Sequence, residues 1–123
     1  MKLRNNLYTV AGSDPADPGF HVRFIPDCVI YKAHFPGMPV TPGVCIIGIA
    51  HELYESLTGS ALRLVEVVNA KFLSVINPLV TPEVDYSIGK TVADDDEGTV
   101  KVAFTVKDSS TTYAKLSLLF KKA

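Results

Sequence analysis

The sequence predicts an α+β fold, an antiparallel sheet wrapped around one central helix, and three observations lead there. A single convincing helical stretch runs from about Pro42 to Leu57. It is apolar over most of its circumference, so it must be enclosed by other elements. After it come only strand-like segments, several with clear alternation, and these read as a meander laid on that helix. With 123 residues, 47% of them hydrophobic, the chain suits one domain, residues 1–123, with a real core.

Before the helix, Leu7 to Val10 is a short β-prone run. Ala11 to Gly19 is rich in turn chemistry, with Ser13-Asp14-Pro15 and Asp17-Pro18-Gly19. Phe20 to Ile25 alternates as a half-buried strand, and Val29-Ile30-Tyr31 reads as a short extended run after Pro26-Asp27. The prolines at 36, 39 and 42 block helix formation before Thr41. Thr41 is the expected N-cap, with Pro42 at the first helical position. Val44, Cys45, Ile46, Ile47, Ile49, Ala50, Leu53, Tyr54 and Leu57 cover most of the helix surface. A narrow polar stripe of Gly48, His51, Glu52 and Glu55 remains, expected to face solvent or a partner subunit. Thr58-Gly59 is the stop.

Leu62 to Ile76 reads as one long strand, ended by Asn77-Pro78. Val84 to Ile88, Thr99 to Lys107 and Thr112 to Phe120 follow as strands. Asp94 to Gly98 and Asp108 to Ser110 are the hairpin turns; the acidic run at 94–97 lacks the ligand spacing of a calcium loop.

A net charge of −1 gives no electrostatic case for nucleic acid or an anionic membrane. No segment has the ~18 apolar residues of a membrane span, and the first residues carry no signal-peptide pattern. His21, His34 and His51 lie far apart, without clustered cysteines, so no metal or cofactor is expected. Two cysteines, Cys28 and Cys45, make no disulfide framework and are expected as buried thiols in a cytoplasmic protein.

The stretch with chemical character is His34-Phe35-Pro36-Gly37-Met38-Pro39-Val40-Thr41-Pro42-Gly43-Val44. It places a titratable imidazole beside a helix start whose amides are free, an arrangement able to move a proton and polarise a carbonyl. In His34, Phe35, Gly37, Pro39, Pro42 and Gly43, with Pro36, it resembles the active-site motif of the β-hydroxyacyl-acyl-carrier-protein dehydratases, which have the hot-dog fold. Ala70-Lys71-Phe72 and Val75-Ile76-Asn77-Pro78 resemble the same family's central strand and the turn after it. The resemblance covers roughly residue 20 to the end.

The resemblance implies a substrate that is an acyl thioester on acyl carrier protein or coenzyme A, in fatty-acid or polyketide-type synthesis. It implies His34 as catalytic base or acid, and Phe35, Gly43 and Val44 as substrate-binding residues, Gly43 N–H holding the thioester oxygen. It further implies a pair of subunits, with histidine from one and a carboxylate from the other. In the family that carboxylate lies fourteen residues after the histidine; here the position is Gly48. His51 and Glu52 are candidates to compensate, but they sit about 5 Å further along the axis. Two readings therefore stand beside each other: a dehydratase-like enzyme, or a non-catalytic acyl- or carrier-binding subunit that pairs with an acid-bearing hot-dog homologue. A hot-dog thioesterase is a third. Arg23, Lys32, Lys71 and Lys115 are candidates for docking an acidic carrier protein.

Overall fold

The computed structural model describes residues 2–14, 17–33 and 37–123. Two strands, β1 (Tyr8–Asp14) and β2 (Asp17–Phe24), precede a one-turn helix α1 (Val29–Ala33) and the main helix α2 (Gly43–Thr58). Four strands follow: β3 (Leu62–Phe72), β4 (Glu83–Asp94), β5 (Thr99–Lys107) and β6 (Thr112–Lys122). They form one antiparallel sheet in the order β1-β2-β4-β5-β6-β3. This is the hot-dog architecture that the periodicity and the motif led us to expect. The meander is β4-β5-β6; β3, first after the helix, crosses to the far edge and pairs with β6.

The alternation of β4, β5 and β6 decides which side is core. Val84 and Tyr86, Val102, Phe104 and Val106, and Leu116, Leu118 and Phe120 are all buried. Against them α2 buries Cys45, Ile46, Ile49, Ala50 and Leu53. Tyr54 stacks on Phe120 and meets Phe104 edge-on. The Tyr86 hydroxyl, wholly enclosed, donates to the Ile46 carbonyl at 3.0 Å, so its polar atom is satisfied within the core.

Five expectations are corrected. Residues 29–31 are helical, not extended; one turn suffices to drop Tyr31 alone into the core. Within the turn-rich stretch 11–19, residues 11–14 and 17–19 are strand, because ladder pairing such as Val10 with Val22 and Ser13 with Phe20 carries β1 on to Asp14, and residues 15–16 lie outside the described residues. The strand from Leu62 ends at Phe72, where the chain turns away with Leu73 and Ser74 N–H donating to the Tyr113 carbonyl. The N-cap is Pro42, extended at φ −61° and ψ 145°, and Thr41 instead bonds the Tyr31 hydroxyl at 2.8 Å. Finally, α2 is not enclosed all round: Val44 and Leu57 are exposed, while its polar stripe is the part that the chain itself covers.

Candidate functional site

The start of α2 carries the open end of the helix. Cys45 and Ile46 N–H donate to the Pro42 carbonyl at 2.9 and 3.1 Å. Among the described residues no acceptor takes Gly43 N–H or Val44 N–H, and no side chain caps the helix. Those amides carry the positive end of the helix dipole. Thr41 N–H donates to the Ile76 carbonyl at 2.8 Å, tying the approach to the helix onto the segment that leaves β3.

A groove of about 460 Å³ opens there, between Val40–Gly43 and Ile46 on one side and Phe72–Ile76 on the other. Its walls are mainly apolar. The Phe72 ring lies directly on Gly43: a Cβ added at Gly43 would sit 2.9 Å from the ring's Cζ. A larger residue at 43 would require the Phe72 ring to move. Gly37, in the motif turn, has φ +91°, a left-handed conformation that glycine adopts freely.

His34 and Phe35 lie outside the described residues. Gly43 lines the groove. Val44 does not; its side chain is 76% exposed on the helix surface. Cys45, in the first helical turn, is buried, and burial, reinforced by Cys28 nearby, pushes its thiol pKa up, so the helix dipole does not make it a thiolate.

The polar stripe has a different character. His51 Nε2 donates to the Leu62 carbonyl at 2.7 Å, and Glu55 Oε2 accepts from Leu62 N–H at 2.7 Å. These two side chains hold the first residue of β3 against the helix. Glu52 accepts from Leu3 N–H and Arg4 N–H, each at 2.8 Å, and from the Tyr8 hydroxyl at 2.9 Å. Burial, then the bond to Glu52, holds the Tyr8 hydroxyl pKa well above its ordinary value. At Gly48 an added Cβ would meet Leu3 Cδ1 at 2.7 Å. The structure thus brings Gly43 into a groove, and engages His51 and Glu52 in tying other parts of the chain to α2.

Sequence reasoning left Phe72 and residues 73–76 out of the site. The signal was present in Ala70-Lys71-Phe72 and Asn77-Pro78, which marked the strand and its turn but not their closeness to the helix start.

Comparison with known proteins agrees with this geometry. Residues 13–116 match the ApeI-like family, described as ApeI dehydratase. Among solved structures, the dehydratase heterocomplex ApeI:P from Xenorhabdus doucetiae superimposes with a TM-score of 0.59 at 16% identity, over 89% of this chain and 93% of that one. An uncharacterized protein from Erwinia carotovora subsp. atroseptica gives 0.59 at 15% identity, over 85% and 82%. No curated protein matches the sequence significantly.

Proposed function

This chain belongs to the ApeI-like dehydratase family, and from that premise we propose that it is the histidine-bearing subunit of a paired 3-hydroxyacyl thioester dehydratase. The observation that carries the reading is the groove at Gly43, where the helix start meets an apolar channel: among the described residues no acceptor takes the N–H of Gly43, which lines it, or of Val44. A thioester oxygen seated at those amides gains charge as the adjacent carbon loses its proton, and preorganised donors stabilise that charge. His34 is the group proposed to take the proton. The C–H electron pair forms the new double bond, the C–O bond at the next carbon breaks, and the departing hydroxyl leaves as water once an acid protonates it.

That acid does not come from position 48. The proposed source is a second hot-dog subunit, and two observations support it. The neighbour ApeI:P is a heterocomplex. Moreover, among the described residues β3 pairs only with β6, and Val65, Val67 and Val68 on it are 41–46% exposed. An exposed apolar edge strand is a ready template for a partner strand. The carrier is proposed to be acyl carrier protein or coenzyme A, and the pathway fatty-acid or polyketide-type synthesis.

The test is to assay the chain alone and co-expressed with an acid-bearing hot-dog homologue, using 3-hydroxyacyl carrier protein and coenzyme A substrates. Enoyl product is expected from the pair, with a loss of ~10²–10⁴-fold on His34→Ala. Product that is indifferent to His34→Ala would overturn the assignment, and release of free acid would point to thioester hydrolysis.

A further inference from the structure

We propose that residues 2–8 form a strap closing the middle of α2, that Glu52 is its latch, and that the strap occupies the space an acidic side chain at position 48 would need. The inference rests on the paired-site reading and specifies which half of the site this subunit supplies.

The strap is built from consecutive backbone groups. Both Glu52 oxygens are used, Oε2 by Leu3 N–H, and Oε1 by Arg4 N–H and the Tyr8 hydroxyl, all at 2.8–2.9 Å. The Leu3 carbonyl accepts from Asn6 N–H at 3.0 Å and Leu7 N–H at 2.7 Å, closing a turn that Asn5 completes at φ +66°. Leu7 and Tyr8, fully buried, anchor the far end. The Leu3 side chain then reaches the face of α2 at Gly48, within 2.7 Å of where a Cβ would stand.

Two consequences follow for proton chemistry. Glu52 serves as acceptor at both oxygens, so carrying a proton to a substrate would break the contacts that hold residues 3 and 4. A carboxylate at position 48 would meet the Leu3 Cδ1 methyl, which would have to shift aside, and would lie one turn from the Glu52 charge, at the i,i+4 spacing where like charges repel. In a pair with an acid-bearing homologue, at most one of the two sites is complete: the one joining this chain's imidazole to the partner's acid.

Hydrogen exchange of the full chain at the Leu3 and Arg4 amides reads the strap without reference to activity. Both are expected to be protected, and protection should fall about tenfold or more in Glu52→Gln, which keeps the shape but loses one acceptor. Unprotected amides in the parent chain, or protection unchanged in Glu52→Gln and in Glu52→Ala, would overturn the proposal. Dehydration by the chain alone gives a second arm. Gly48→Glu should stay at background, and Gly48→Glu with Leu3→Ala should rise above it. Equal gain in both overturns the strap as an obstacle. No gain in either, with the amides still protected, leaves the strap standing and counts instead against the dehydratase reading.

Discussion

The beginning and the middle of α2 are built from the same helix and treated in opposite ways. At the beginning, two amides have no partner among the described residues and a groove lies beside them. About two to three turns later, every polar side chain of the stripe is tied to another part of the chain: His51 and Glu55 to Leu62, and Glu52 to residues 3, 4 and 8. Unmet hydrogen-bonding capacity costs stability when it is enclosed. The first amides of any helix lack intrahelical partners, and here they border a groove, which supports the proposal that the helix start receives a ligand, while the middle is spent on holding the fold.

The largest effect that would break this contrast is at Gly43. Gly43→Ala adds a Cβ against Phe72, and Gly43→Pro adds that bulk and also removes the N–H. Proline is tolerated there: it is the first helical position, and Pro42 at ψ 145° already has the conformation required before a proline. In the proposed paired dehydratase, we expect the proline variant to fall a further ~10²–10³-fold in kcat below the alanine variant. Equal rates would mean that the amide does not touch the reacting oxygen.

Next in size is Glu52→Ala, which strands two backbone amides and the Tyr8 hydroxyl. Urea denaturation should register a loss of roughly 2–3 kcal/mol. A loss near zero would place the middle of the helix among surface features and erase the contrast.

The smallest effect lies outside both regions and serves as a reference. His21 sits between Asp85 and Glu83, with ring nitrogens 2.8 Å from a carboxylate oxygen of each. The bonds to Asp85 and then Glu83 raise its pKa. A raised imidazole pKa means that the contribution is present below the ordinary value near 6.5 and is lost as pH climbs through the raised one. Glu83, its pKa lowered by His21, loses its share as pH falls instead. The urea midpoint should therefore decline modestly as pH rises above 6.5, and His21→Gln should flatten that decline. The amplitude is small because these side chains are 36–50% exposed and screened by water.

Much of the fold could be read from spacing. Val102, Phe104 and Val106 alternate with charged and small residues, and the structure buries that set. The apolar triplet Val29-Ile30-Tyr31 could not be read this way, since three residues fit one turn of helix as well as a strand. In residues 11–14 and 17–19 local turn preference yields to cross-strand pairing. At the site, the glycine and proline spacing around Gly43 was visible in the chain. The strap was not: Leu3 and Glu52 are 49 positions apart, and no local periodicity links an acidic side chain to amides at the other end of the sequence.

The valine-rich margin of β3, which meets no further strand among the described residues, has a consequence for abundance. If that margin is completed by another subunit, the folded form gains stability in proportion to the logarithm of partner concentration, by mass action. Produced without a partner, the chain would bring its own sticky borders into contact and leave solution as aggregates. Dosage of the two subunits would then govern how much of each survives, quite apart from any chemistry they perform.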